Sequence, residues 1–189
     1  MLELVSGCAD IVGAWRCGRV GCREFYGALM PSDPPEFTAG LPLKRMAAGL
    51  LIIDSQDRVL LVEPAYKTDW EIPGGSVEAG ESPWQAAMRE CREELGVSLT
   101  PGRLLVVDWV SPRYGRTDGV MLVFDGGVLD AVQAQRIVVP PAELKGWAWS
   151  TPPQTRQRLQ PLLARRVNEC LQARADGSTR YLEDGVPVS

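Results

Sequence analysis

The stretch Met46–Asp54 (MAAGLLIID) is almost continuously apolar and closes on turn residues, and Arg58–Glu63 (RVLLVE) resumes the pattern after Asp54-Ser55-Gln56-Asp57. Short apolar runs bounded by turn signals read as buried strands, so these two form a strand pair joined at 54–57. Trp70-Glu71-Ile72 reads as another short strand, stopped by Pro73-Gly74-Gly75. Arg103–Val110 and Val120–Leu129 carry the same signature, and Gly146–Ser150 a shorter version of it. Helix signals are sharpest just after the glycine pair. Ser82 is an N-cap, Pro83 suits the first helical position, Gln85 completes an S-x-x-Q capping box and Gly96 supplies the stop, which predicts a helix over 83–95. A last helix starts near Pro152 or Pro161 and ends by Gly177, with Leu162, Leu163, Val167, Cys170 and Leu171 along one stripe. That stripe either covers the chain's own sheet or serves a homodimer interface. Strands mixed with helices in this order predict an α/β fold.

The N-terminal part departs from this periodic pattern. Residues 1–29 hold three of the five cysteines and sustain neither a strand nor a helix period, so they are expected to be a leader or poorly ordered segment, with Met30 a candidate start. A Pro-rich connector follows over 30–45, the periodic domain spans 46–176, and 177–189 is expected to be a C-terminal tail. No apolar run approaches the ~18 residues of a membrane span.

Composition then narrows the chemistry. The 189 residues contain no histidine, which removes Ser-His-Asp and Cys-His catalysis and His-ligated zinc and leaves carboxylates to do any acid–base work. The cysteines at 8, 17, 22, 91 and 170 are odd in number and include no C-x-x-C pair, so a reducing cytoplasm is the expected compartment. A net charge of −4 provides no extended basic field, so duplex nucleic acid is not an expected partner.

On the 83–95 helix, Glu90, Glu93 and Glu94 stand at i, i+3 and i+4, within an arc of about 100°. Trp84, Met88, Cys91 and Leu95 cluster beside that arc, so the helix can pack on a sheet while its carboxylates line an open edge. Glu90 and Glu94 repel one another at i, i+4 unless a cation sits between them, and hard oxygen donors of this kind suit Mg²⁺ or Mn²⁺. Taken alone, the pattern equally fits a solvated charged face.

From Gly75 the chain runs Gly75-x5-Glu81-x7-Arg89-Glu90-Cys91-Arg92-Glu93-Glu94-Leu95-Gly96-Val97. This is a complete 23-residue Nudix box, and the chain resembles the Nudix hydrolases, which cleave nucleoside diphosphates linked to another moiety. Cys91 stands where that family carries Leu, Ile or Val, and a small buried hydrophobe can fill the same space. The resemblance implies an α/β/α sandwich around a mixed β-sheet. It also implies divalent metal held by Glu93 and Glu94, with Glu90 joining them or acting as base and with Glu81 and Arg89 orienting the set. Gly74 and Gly75 would let a loop approach metal and pyrophosphate closely.

The substrate is less sharply marked. Pro112 lies 15 residues past the box, resembling a marker of family members acting on ADP-ribose, although a Ser-Pro turn would look the same. Family signatures for NADH and coenzyme A substrates are absent. Glu143 is the first candidate for a further base or ligand outside the box, with Asp118 and Asp125 as rivals, and Tyr66, Trp70, Trp109 and Tyr114 are candidates to stack on a base. The expectation is a pyrophosphohydrolase for ADP-ribose or a nucleotide sugar. A nucleoside triphosphate housecleaning enzyme comes second and a non-catalytic nucleotide sensor third.

Overall fold

The computed structural model describes residues 40–188. The expectations for the 1–29 leader, and for most of the 30–45 connector, lie outside the described residues. From Leu43 onward the chain forms one unit. Its strands are β1 (Arg45–Ile53), β2 (Val59–Pro64), β3 (Gly74–Ser76), β4 (Leu104–Val110), β5 (Gly119–Val128), β6 (Leu144–Ser150), β7 (Arg180–Glu183) and β8 (Val186–Pro187). The helices are α1 (Pro83–Leu95), α2 (Ala131–Ala134), α3 (Pro152–Arg158) and α4 (Pro161–Asp176).

One mixed sheet runs β6-β2-β1-β5-β4-β7-β8, with β3 also paired to β1. β1 is its centre, parallel to β5 and antiparallel to β2 and β3. Side chains alternate between the faces of a strand, so β1 can be apolar throughout only if both faces are covered. They are: Leu50 and Ile52 pack with Ala87, Cys91 and Leu95 of α1, while Leu51 and Ile53 pack with Val167, Cys170 and Ala173 of α4. Helices on both faces give the α/β/α sandwich expected from the sequence.

α1 keeps its expected limits. Ser82 Oγ accepts from the Gln85 amide at 3.3 Å, Gln85 Oε1 accepts from the Ser82 amide at 2.8 Å, and Gly96 closes the helix at φ 68°. Its buried stripe is Ala86, Ala87, Cys91 and Leu95, and Trp84 is exposed with its indole N–H donated to the Pro101 carbonyl. Cys91 is fully buried, which bears out its reading as a packing residue, and burial pushes its thiol up to about 12. Cys91 and Cys170 are both free and buried.

Three local expectations need correction. Trp70 and Glu71 make isolated bridges, and the strand of that region is Gly74–Ser76, whose backbone pairs with Ala47–Gly49. The C-terminal helix is two helices, because Leu159 and Gln160 leave helical geometry between the two prolines that each start one. Residues 180–187, expected to be tail, add two strands: β7 lies parallel to β4, and Leu182 is fully buried. This extension is anchored by Asp108, whose fully buried carboxylate accepts from Arg166 Nε at 2.6 Å and from the Gly185 amide at 3.0 Å. The Leu162–Leu171 stripe covers the chain's own sheet through Leu163, Val167, Cys170 and Leu171.

Candidate active site

The site begins where β3 lies against β1. Gly74 adopts φ +146°, and a Cβ there would run into the Ala48 carbonyl and the Gly49 backbone, so only glycine lets the two strands meet. With that pairing fixed, the Gly74 amide points at α1 and donates to Glu94 Oε2 at 2.9 Å. Gly75 serves differently: a Cβ on it would occupy the position of the Glu90 carboxylate. The two glycines, expected to form a loop, therefore act from a strand and bring its backbone against two carboxylates of α1.

Arg89 organises the rest. Its guanidinium donates to both oxygens of Glu81 (2.7 and 3.2 Å), to Glu90 at 2.9 Å, to Glu93 at 2.9 Å and to the Ser76 carbonyl at 2.9 Å. Glu81 also accepts from the Glu78 amide, which ties down the loop before α1. A planar fork with five N–H groups satisfies this geometry, and an ammonium would not. The Arg89 hydrogen bonds hold the Glu81 carboxyl below its usual range.

The remaining carboxylates are poorly compensated. Burial pushes Glu94 up to about 8 against the Gly74 hydrogen bond, and the charges of Glu90, Glu71 and Glu143 add to the rise. Burial likewise raises Glu90, although Arg89 opposes it. Glu93 is about half exposed and turns to Arg89. Among the described residues no three carboxylate or thiol groups converge as a ready-made metal cage. The donor set still fits a divalent cation of the Mg²⁺ type, which takes one or two carboxylates and fills its shell with water and phosphate oxygens. A cation bound there would displace the proton that burial favours on Glu94.

Of the residues singled out in the sequence, Gly74, Gly75, Glu81, Arg89, Glu90, Glu93 and Glu94 are brought together. Glu143 is exposed, yet its charge reaches Glu94. Asp118 instead pairs with Lys44, and Asp125 with Arg174. Glu71 is the residue sequence reasoning missed as a member of the acidic group. Its charge also acts on Glu94, and its only sequence signal was its place three residues before Gly74. Trp109 is tied by its indole N–H to Asp118, and Trp70 lies under the Arg158 guanidinium at 4.5 Å. Tyr66 and Tyr114 are largely exposed.

The fold is an α/β/α sandwich with a carboxylate-rich helix docked on a glycine strand. The chain belongs to the Nudix family: the NUDIX domain model matches residues 43–170. An RNA pyrophosphohydrolase of Rhodospirillum rubrum is 37% identical over 68 residues, 35% of this chain and 41% of that protein. A diphosphoinositol polyphosphate phosphohydrolase 2 of Rattus norvegicus is 43% identical over 75 residues, 39% of this chain and 42% of that protein. The match thus spans about two fifths of these relatives. Among solved structures, a UDP-X diphosphatase superposes with TM-score 0.62 at 19% identity, covering 87% of this chain and 76% of that one, which shows a shared fold. Nudix hydrolases generally use divalent metal ions. Among the described residues no helix is long and apolar enough to cross a membrane.

Proposed function

We propose that the chain is a Nudix pyrophosphohydrolase that cleaves a nucleoside diphosphate linked to another moiety, with ADP-ribose or a nucleotide sugar as the leading substrate. One observation carries the reading: within a complete Nudix box, the Gly74 amide holds Glu94 while Arg89, which also pins Glu81, holds Glu90 beside Gly75. A charged helix face with no function has no reason to draw two carboxyl groups four residues apart partly out of water. A pure nucleotide sensor has no need of the whole acidic set.

In this reading Glu90, Glu93 and Glu94 hold Mg²⁺ or Mn²⁺. When bound, the ion supplies positive charge to the phosphoryl oxygens and makes water more acidic. The chain's own groups do the rest. The Gly74 amide holds Glu94 in one orientation. Arg89, fixed by Glu81, sets the positions of Glu90 and Glu93 and keeps their charge partly neutralised until substrate arrives. A carboxylate takes the proton of the attacking water, with Glu90 and the exposed Glu143, whose charge reaches Glu94, as the candidates. The absence of histidine is no obstacle to this chemistry. A cytoplasmic location and a small nucleotide partner belong to the same proposal, and a triphosphate housecleaning activity is its runner-up.

The test is phosphate release, with a phosphatase coupling step, from ADP-ribose, nucleotide sugars, dinucleoside polyphosphates and intact or oxidised nucleoside triphosphates in Mg²⁺ or Mn²⁺. One substrate turned over far faster than the rest, and lost in Glu94→Gln, is the expected result. No turnover of any of them by folded protein would reject the enzyme reading.

A further inference from the structure

A cavity of about 610 Å³ opens between the start of α4, the Lys67–Glu71 segment and the β4–β5 connection. Glu71 on its wall is three residues before Gly74, so the cavity wall lies within about 10 Å of Gly74, whose amide holds Glu94. Its wall carries six cations and two acids, in a chain whose net charge is −4.

Some of those cations are already answered. Lys67 pairs with Glu71, Arg113 with Asp184 and Arg166 with Asp108. Among the described residues, Arg45, Arg116 and Arg165 have no carboxylate in ion-pair contact. Arg45 donates to the Thr117 carbonyl and Arg165 to the Asp184 carbonyl, neutral acceptors that orient a guanidinium without forming an ion pair with it. Arg116 stands on a tight turn in which Arg113 and Arg116 exchange both backbone hydrogen bonds, at 2.9 and 3.2 Å. The two central residues, Tyr114 and Gly115, sit at φ 51° and 73°, the geometry of a two-residue hairpin turn. A tyrosine is a poor choice for that backbone, and Tyr114 is 91% exposed while lining the cavity. Two guanidiniums oriented by carbonyls, Arg45 and Arg165, and a third on the exposed turn, Arg116, line one cavity with no carboxylate among the described residues in ion-pair contact, a set that matches a phosphate group.

We propose that this cavity receives the uncleaved arm of the substrate and that this arm bears a phosphate beyond those of the scissile linkage, recognised by Arg45, Arg116 and Arg165. The proposal rests on the pyrophosphohydrolase reading and narrows its substrate class from plain nucleotide sugars to ones phosphorylated on the distal moiety.

Two probes that differ by one distal phosphate, ADP-ribose and ADP-ribose 1″-phosphate, test it by calorimetry on the full-length Glu94→Gln protein in Mg²⁺, where cleavage is suppressed. The phosphorylated probe should bind at least tenfold tighter, and that preference should shrink as salt is raised. Adding Arg116→Gln or Arg165→Gln should reduce it to less than threefold, whereas Arg136→Gln, on the exposed segment after α2, should leave it intact. Equal affinity for the two probes, binding of neither, or a preference that survives both arginine changes would overturn the proposal. Wild-type turnover is scored separately: a preserved binding preference with no cleavage on any substrate would reject the pyrophosphohydrolase reading while leaving the arginine site standing.

Discussion

Glu94 carries a cost in stability that the proposed metal role would explain. Its folded carboxyl sits at about 8 against an ordinary 4.5, because burial and neighbouring carboxylates disfavour the charge. The sign follows directly. Between those values unfolding releases a proton, so metal-free stability falls as pH rises from 4.5 to 8 and stays low above it. Glu94→Gln removes the charge and keeps an oxygen for the Gly74 amide. In EDTA at pH 9 the variant should be more stable to urea by roughly 1–3 kcal/mol, with the difference fading near pH 4. With Mg²⁺ and substrate it should lose on the order of a hundredfold in kcat, about 3 kcal/mol of transition-state stabilisation. A variant less stable than wild type at pH 9 would mean that this carboxylate is not held under strain. The residues to which the proposal gives this chemistry were legible in sequence because the box fixes residue type and spacing together. Glu71 was not, since an acid three residues before a glycine is common, and only the fold turns its charge toward Glu94.

At the scale of elements, α1 was legible to the residue because its signals are local: a capping box, a proline at the first turn and a glycine stop. Ser82→Ala should therefore cost about 1 kcal/mol in thermal or urea unfolding, the usual worth of a side-chain cap. A loss within 0.2 kcal/mol would show that tertiary packing alone sets this helix boundary. β3 and β7 were missed for the opposite reason. Three residues, two of them glycine, carry no strand propensity, and Gly74–Ser76 is extended only because β1 offers it a pairing edge. Arg180–Glu183 likewise depends on the exposed edge of β4. Because Leu182 is fully buried in the α4 layer, Leu182→Ala should destabilise by about 2–5 kcal/mol. An effect below 0.5 kcal/mol would return this segment to the status of a tail.

For the molecule as a whole, acid stability depends on carboxylates paired across turns and layers. Asp54 is the clearest. Burial opposes its ionisation, but the Arg58 guanidinium at 2.6–2.7 Å and the backbone amides of Arg58 and Gln56 outweigh it and hold its carboxyl below the usual range. A lowered folded pKa contributes stability above the unfolded value near 3.8, and that contribution is lost as pH falls through the folded one. Asp54→Asn should accordingly destabilise the protein at pH 7 and converge with wild type at strongly acidic pH in urea titrations. A pH-independent difference would place the effect in packing instead.

The sequence by itself determined the family, the α/β class, the central apolar strands and the acidic residues of the box, because each rests on residue type at fixed local spacing. It also excluded histidine chemistry outright. Only the tertiary structure decided which carboxylates are buried, that the glycine pair works from a strand, and that the last described residues belong to the sheet. It alone gathered Arg45, Arg116 and Arg165, distant in the chain, around one cavity. Burial, strand pairing and charge compensation are properties of neighbours in space, and local spacing carries no record of them.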